Sequence, residues 1–212
     1  MSNSNKRPGL SRLLKIKDIL NRRLTIAICG IRFRFRKRLG LLGRMQAGSG
    51  FVLNGIPWVR NYGKIIIGDG FVCNSGKKQN PIGGDTVLRL AVYENAIVRI
   101  GNQVGISNST LVCKESITIG DKVLIGGGCK IWDTNFHSLD FESRTSSKDT
   151  NVKSAPIVIE DGAFVGGSSL IMKGVTIGRH SIVAAGSVVT KDIPPNEIWG
   201  GNPAKFIRKL EN

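Results

Sequence analysis

The sequence predicts an all-β protein built from stacked coils of short parallel strands, and two observations support this prediction. Residues 159–194 divide without a gap into six hexapeptides, IEDGAF, VGGSSL, IMKGVT, IGRHSI, VAAGSV and VTKDIP. Each begins with Ile or Val, and because no helix has a period of six, the pattern indicates β-structure. The 212 residues also include 27 glycines and only 6% aromatic residues, which suits many turns around a core of small aliphatic side chains.

Each hexapeptide is expected to form one side of a coil. Its aliphatic first residue points inward, and glycine or asparagine allows the bend to the next strand. Further hexapeptides begin at residues 67, 100 and 119, and the slips of phase between them predict irregular corners. An ordinary β-sandwich is the alternative, but it does not require a strict six-residue phase. We therefore expect one main domain over residues 45–198.

Two segments leave the repeat. Residues 132–155 have no aliphatic periodicity and are predicted to form a long polar excursion, which in a compact domain usually carries function. Residues 199–212 begin with turn residues and then place apolar side chains at Phe206, Ile207 and Leu210. That spacing predicts a short C-terminal helix.

Residues 1–44 form a separate basic segment. They carry thirteen Lys and Arg residues against one acid, Asp18, so they hold +12 of the total charge of +16. Leucine and isoleucine recur at helical spacing between the cations, which predicts an amphipathic segment. It either attaches to an anionic membrane surface or an acidic glycan, or packs on the base of the coils. Deleting the first 40 residues separates the two, because only a detachable segment leaves a chain that folds.

Charge and cysteine usage restrict the partners, metal sites and cellular location that this chain can have. The basic segment lacks the interleaved aromatic residues that stack on bases, so we expect no nucleic-acid partner. The four cysteines are widely spaced, with no CxxC pair and no cluster of histidines, which predicts neither a metal site nor disulfides and suits the cytoplasm. No apolar run approaches the roughly 20 residues of a membrane span. We expect a cytoplasmic protein that reaches the inner face of the membrane if the basic segment binds there.

The hexapeptides, together with IWDTNFHSLD at 131–140 and WGGNPAKFIRKL at 199–210, resemble the hexapeptide-repeat acyltransferase superfamily. The similarity covers roughly residues 60–210 and is greatest to its galactoside, maltose and surface-polysaccharide O-acetyltransferases. It implies a left-handed parallel β-helix, a homotrimer with active sites between subunits, acetyl-coenzyme A as donor and a carbohydrate hydroxyl as acceptor, with no metal. The hand comes from the resemblance alone, since parallel crossovers are normally right-handed.

The resemblance also implies the residues of the reaction. His137 would be the general base that takes the proton of a sugar hydroxyl as its oxygen attacks the acetyl carbonyl. Either Asp133 or Asp140 would orient the imidazole, and the sequence does not choose between them. Asn108 would bind the acceptor, and Asp140 is a second candidate for that contact.

The donor is expected to lie along the repeat. Gly167 and Ala185 would let the pantetheine arm approach backbone amides. The residues that match positions near the adenine and phosphates of coenzyme A are Thr190, Lys191, Lys205 and Arg208, and cations suit phosphates. Gly167 stands where related enzymes often carry a hydroxyl residue, which leaves a backbone amide to polarise the thioester carbonyl.

Three functions therefore compete. The first is an O-acetyltransferase acting on a carbohydrate. The second is an N-acetyltransferase acting on an amino sugar nucleotide, which shares the fold and the donor. The third is a non-catalytic β-solenoid that binds glycan or membrane, and it predicts no affinity for acetyl-coenzyme A.

Overall fold

Three parallel sheets form the three faces of a triangular β-helix, in which each coil contributes one strand to each sheet. The computed structural model describes residues 8–80, 82–84 and 86–211, with side chains from Ile16 onward. The first seven residues of the basic segment thus lie outside the described residues. The predicted all-β architecture of stacked parallel coils is confirmed.

The helices and strands are, in chain order, α1 Pro8–Arg38, β1 Arg44–Ala47, β2 Val52–Asn54, β3 Trp58–Asn61, β4 Lys64–Ile67, β5 Val72–Asn74, β6 Arg89–Val92, β7 Ile97–Ile100, β8 Gly105–Ser107, β9 Thr110–Cys113, β10 Ser116–Ile119, β11 Leu124–Ile125, β12 Lys130–Trp132, α2 Phe141–Thr145, β13 Ile157–Ile159, β14 Phe164–Val165, β15 Leu170–Ile171, β16 Thr176–Ile177, β17 Ile182–Val183, β18 Val188–Val189, β19 Glu197–Gly201 and β20 Ala204–Lys209. Face A consists of β1, β4, β7, β10, β13 and β16. Face B consists of β2, β5, β8, β11, β14 and β17 with β19 and β20. Face C consists of β3, β6, β9, β12, β15 and β18.

The repeated aliphatic residues build the core. Ile159, Val165 and Ile171, which open three successive hexapeptides on three different faces, are fully buried. Parallel pairing places each of them above its counterpart in the preceding coil, for example Ile159 above Ile119. Burial of one such side chain contributes about 1.5–3 kcal/mol. The hexapeptide phase therefore fixes which residues point inward.

The edge between faces A and B explains why the repeat begins with Ile-Gly-Asp or Ile-Gly-Asn. Asp69 Oδ1 accepts the Ser49 backbone N–H at 2.6 Å, Asn102 Oδ1 accepts that of Asp69 at 2.9 Å, and Asp121 Oδ1 accepts that of Asn102 at 2.7 Å. A Cβ at Gly101 would overlap the Asp121 carboxylate. Each acidic or amide side chain thus fastens its own coil to the coil before it, and glycine leaves it room.

This edge makes stability depend on pH. The backbone N–H of Asn102, and then its side-chain amide, lower the pKa of Asp121 below its ordinary value of about 3.9. The ionised carboxylate therefore stabilises the fold above about pH 4, and this contribution is lost as the pH falls through the lowered value. We expect Asp121→Ala to lower the melting temperature at pH 7, and the difference from the parent to shrink towards pH 3.

Asp121→Asn is the matched control for that prediction, since it keeps an acceptor for the Asn102 N–H but carries no charge. At pH 7 its melting temperature should lie between those of the parent and Asp121→Ala. Its melting temperature should also vary less with pH than that of the parent. Thermal melts of the three proteins between pH 3 and 7 measure this. A parent and an alanine variant that differ equally at both pH values would contradict the assignment.

Two excursions leave the coils. The polar segment expected at 132–155 emerges between β12 and β13, at the edge between faces C and A. A second excursion, residues 75–88, connects β5 to β6 at the edge between faces B and C. The sequence reveals the second one only as a slip of phase.

The predicted C-terminal helix is wrong. The tail forms the antiparallel pair β19 and β20, and β19 also pairs in parallel with β17 of the last coil. The last coil leaves a row of unpaired backbone groups, and a strand satisfies them where a helix does not. The helical spacing of three apolar residues is too short a signal to outweigh that row of hydrogen bonds.

The basic segment packs on the base of the β-helix through the C-terminal half of α1. Cys29 is only 7% exposed, and the Phe33 ring meets Phe51 edge-on at 6.0 Å, with Phe71 behind it at the same spacing. In contrast, every side chain from Ile16 to Leu24 is exposed. As far as the structure describes them, neither α1 nor α2 contains an apolar stretch that could span a membrane.

The cysteines are buried in the core rather than placed for chemistry. All four are free and buried. Burial, with a smaller contribution from Cys29, raises the pKa of Cys73 to about 12. The thiolate is the nucleophilic form of cysteine, so Cys73 acts as an apolar filler of the core.

Candidate active site

A column of small residues runs along the edge between faces B and C. Asn108, Gly127, Gly167 and Ala185 occupy it in consecutive coils, which are joined by backbone hydrogen bonds from Gly128 to Asn108, from Ser168 to Gly127 and from Gly186 to Gly167. The structure thus brings together three residues that the resemblance assigned to substrates. Gly127 was not predicted, although its hexapeptide was recognised.

This column presents unpaired backbone donors. Within the described part of the chain, the backbone N–H groups of Gly127, Gly167 and Ala185 have no hydrogen-bond acceptor. Gly167 is half-buried and Ala185 is exposed, so their peptide groups are open to an approaching ligand. Gly127, in contrast, is buried against the Gly83 backbone. Two accessible donors in successive coils suit a ligand that carries carbonyl oxygens along its length.

The excursion 75–88 forms one wall of the column. Asn80 Oδ1 accepts the backbone N–H groups of Ile82 at 2.9 Å and Gly83 at 3.0 Å, which turns the loop against the edge. A Cβ at Gly83 would overlap Asn108, and a Cβ at Gly127 would overlap the Gly83 backbone. The Ile82 side chain is 77% exposed, so the loop offers an apolar group beside the column.

Asn108 anchors this wall. Its Oδ1 accepts the Gly76 backbone N–H at 2.8 Å, and its Nδ2 donates to the Gly76 carbonyl at 3.3 Å. The residue is only 1% exposed. In this arrangement the Asn108 amide holds the excursion at its start instead of facing a ligand, which differs from the acceptor contact expected from the resemblance.

His137 lies on the other excursion. Its side chain is 72% exposed, and Nδ1 is 3.1 Å from Oδ2 of Asp149, whose side chain is only 17% exposed. The Asp149 carboxylate also accepts the Ser138 backbone N–H. A carboxylate at Nδ1 favours the tautomer that carries its proton there, which leaves Nε2 as the basic nitrogen facing solution.

The carboxylate that contacts the His137 imidazole is Asp149, so the expectation that Asp133 or Asp140 contacts it is corrected. Asp133 is fully buried and accepts the backbone N–H groups of Lys114 at 2.7 Å and Glu115 at 2.8 Å. Asp140 caps α2, where the Ser143 backbone N–H lowers its pKa. Asp149 could not be predicted from the sequence, because it is one of several acids in a polar segment without periodicity.

Hydrogen bonds join the two ends of the 132–155 excursion where it leaves the coils. Thr134 pairs with Ser154 in an antiparallel bridge, and the Asn135 N–H donates to the Lys153 carbonyl at 3.0 Å. The Phe136 ring packs edge-on against Trp132 at 5.7 Å. His137 thus follows directly after this hydrogen-bonded pair of segments, so its backbone is held in place although its ring is exposed.

A third group of residues lines a hollow at the C-terminal end of the β-helix. The hollow has a volume of about 320 Å³. It is lined by Thr190, Lys191, Trp199, Pro203, Ala204, Lys205 and Phe206. Two ammonium groups beside two aromatic rings suit a ligand with phosphates and a flat base. Three of the four residues predicted near the adenine and phosphates therefore meet here, whereas Arg208 donates to the Lys209 carbonyl and does not line the hollow.

His137 and the column of small residues belong to different edges of the β-helix. The column lies between faces B and C, and the His137 excursion leaves between faces C and A. Face C lies between the two edges. Its strand β9 has four residues, and at about 3.3 Å per residue the two edges are about 13 Å apart. Among the described residues, no hydrogen bond joins the His137 excursion to the column. One chain therefore holds His137 and the column of small residues on separate edges of the β-helix.

Comparison with known proteins identifies the repeat. The family described as the hexapeptide repeat of succinyl-transferase matches residues 156–191. The galactoside O-acetyltransferase of Escherichia coli is 40% identical over 105 residues, which cover 50% of this chain and 50% of that protein. The chain thus spans about half the length of the curated relatives it matches.

Solved structures agree with this match. A hexapeptide-repeat acetyltransferase from Vibrio cholerae is 29% identical with a TM-score of 0.53, covering 87% of this chain and 82% of its own. A galactoside acetyltransferase solved with coenzyme A is 28% identical with a TM-score of 0.54, covering 78% and 65%. The fold is the left-handed parallel β-helix that the resemblance implied.

Proposed function

This chain belongs to the hexapeptide-repeat acyltransferase superfamily, and from that premise we propose that it transfers an acetyl group from acetyl-coenzyme A to a carbohydrate hydroxyl. The observation that carries the proposal is the exposed His137 imidazole held by Asp149. An exposed base with a fixed orientation has no role in the stability of the β-helix, whereas it is what hydroxyl acylation requires.

The reaction proceeds by direct transfer. His137 Nε2 takes the hydroxyl proton as the acceptor oxygen attacks the thioester carbonyl, and Asp149 stabilises the resulting imidazolium. The tetrahedral intermediate collapses, the C–S bond breaks, and the coenzyme A sulfur receives the proton from the imidazolium. An ester and free coenzyme A are formed, with no acyl-enzyme.

The donor lies along the column of small residues. Its carbonyl groups accept the unpaired N–H groups of Gly167 and Ala185, and one of these amides stabilises the developing oxyanion. Its phosphates lie at the terminal hollow beside Lys191 and Lys205. Backbone amides of the column and the two lysines of the terminal hollow thus supply the two ends of the donor site.

Donor binding tests this placement directly. We expect Lys191→Ala and Lys205→Ala each to weaken acetyl-coenzyme A binding by roughly tenfold, the effect of losing one charge-assisted contact. Arg208→Ala, outside the hollow, should change the dissociation constant little. S-acetyl-pantetheine, which lacks the phosphates, should bind all four proteins equally. Calorimetric titration measures this, and equal losses with both ligands would remove the lysines from the phosphate site.

We further propose that the enzyme is a homotrimer in which one subunit supplies His137 and its neighbour supplies the column. The separation of these two half-sites, His137 and the column, on different edges supports this arrangement, because a copy packed beside face C brings the two edges together. Sedimentation equilibrium at the monomer mass would contradict it.

Mixed trimers give a sharper test. His137→Ala removes the base, and Gly167→Val fills the column, so each variant alone should be inactive. If the two half-sites come from different subunits, co-expression of both should restore about a quarter of the parent activity, because random assembly pairs an intact base with an intact column at that frequency. No recovery, with trimers of normal mass and melting temperature, would place both half-sites in one subunit.

The acceptor is identified by transfer. Incubation with [acetyl-¹⁴C]-coenzyme A and a panel of glycosides and amino sugar nucleotides distinguishes an ester, cleaved by mild base, from an amide. Labelled ester supports the proposal, labelled amide favours the N-acetyltransferase, and absence of donor binding favours a non-catalytic solenoid.

A further inference from the structure

The exposed side of α1 carries a continuous apolar stripe that the fold does not use. The outer stripe consists of Ile16, Leu20, Leu24, Ile28, Ile31 and Phe35. These residues follow one another at intervals of three or four, so they share one face of the helix. Their exposed fractions are 42–61%. A soluble protein rarely leaves such a row in water.

The outer stripe is distinct from the face that packs on the core. Cys29 and Phe33 contact the base of the β-helix, and with one residue every 100° the outer stripe lies about half a turn away from them. The helix therefore has two apolar faces. One packs on the base of the β-helix, and the other, the outer stripe, is exposed.

Cations border the outer stripe. Arg23 and Arg34 lie along one side of it and Arg32 along the other, while Lys17 and Arg38 lie near its two ends. All five side chains are exposed. The basic residues are therefore placed where they contact a negative surface at the same time as the stripe enters an apolar layer.

We propose that α1 docks the protein on an anionic lipid surface, with the outer stripe buried at the level of the headgroups and the flanking cations on lipid phosphates. An apolar row contributes nothing to binding of nucleic acid, which argues against that partner. A second copy is disfavoured because two segments of charge +12 repel each other. Since α1 caps the first coil, the terminal hollow at the other end stays open to solution.

Vesicle flotation with the full chain tests the proposal. The protein should bind vesicles of equal parts phosphatidylcholine and phosphatidylglycerol, and much less to phosphatidylcholine alone, with a loss of at least tenfold between 0.05 and 0.5 M salt. Leu20→Asn combined with Leu24→Asn should reduce binding at least tenfold. Arg23→Gln combined with Arg34→Gln should reduce it several-fold. Tyr62→Asn, a matched change at an exposed residue in the bend after β3, should have no effect.

Each other outcome overturns the proposal. Equal binding to neutral vesicles, or none to either, excludes an anionic lipid surface. A fall in mass on sedimentation of the leucine variant assigns the outer stripe to a contact between subunits. Binding to duplex DNA that survives the leucine changes but not the arginine changes assigns the cations to nucleic acid. We expect the leucine changes to leave acetyl transfer to a soluble acceptor unaffected. A protein that does not bind vesicles would therefore contradict the lipid proposal without contradicting the proposed enzyme activity.

Discussion

His137→Ala is expected to lower turnover by about 10²-fold or more, the usual contribution of a general base. The side chain is 72% exposed and belongs to no hydrophobic contact of the coils, so the free energy of unfolding should change by no more than about 0.5 kcal/mol. The acetyl-coenzyme A dissociation constant should also stay near that of the parent, because the column and the terminal hollow lie elsewhere.

Steady-state kinetics, thermal melts and donor titration on one preparation measure these three quantities. Added imidazole should restore part of the activity of His137→Ala, since a free base then fills the vacated position. Turnover within a few-fold of the parent would remove His137 from the mechanism.

Asp149 is a positioning residue, and its variant refines the same prediction. Asp149→Asn should lower kcat with little change in KM for either substrate, because the imidazole loses its fixed tautomer while the substrates keep their contacts. Asp149→Glu should recover part of kcat. A loss confined to KM would mean that Asp149 acts on binding and not on the base.

Two truncations are expected to differ sharply. Removing residues 1–24 takes away side chains that are exposed wherever they are described, so the melting temperature should stay close to that of the parent. Removing residues 1–43 uncovers the base of the β-helix and takes away Cys29, Phe33 and Leu42, of which Leu42 is only 2% exposed. At about 1.5–3 kcal/mol for a fully buried apolar side chain, the loss should be several kcal/mol.

Denaturant unfolding of the two truncated chains beside the parent measures the difference. Phe33→Ala is the matched point variant and should reproduce part of the loss. If the chain without residues 1–43 is as stable as the parent, α1 does not cap the core. If the chain without residues 1–24 is strongly destabilised, the exposed part of the helix has a contact within the protein.

The hexapeptide phase was sufficient to predict the all-β coils and their inward residues. Ile159, Val165 and Ile171 repeat at a fixed interval, and burial of one aliphatic residue per side of a coil is a local requirement that each hexapeptide meets by itself. The polar break that contains His137 was likewise visible in the sequence, whereas the role of His137 as a base came from the resemblance to the acyltransferases and stays a prediction.

The tertiary structure alone decided the contacts between distant segments. Asp149 lies twelve residues from His137 in a segment without periodicity, and only folding of the excursion selects it over Asp133 and Asp140. The C-terminal tail becomes a strand because the last coil has unpaired backbone groups, and these are invisible in the tail's own sequence. The packing of Gly83 against Gly127 joins residues that are separated by six strands along the chain. Periodicity in a sequence encodes burial, whereas hydrogen bonds between separate segments depend on where the coils bring them.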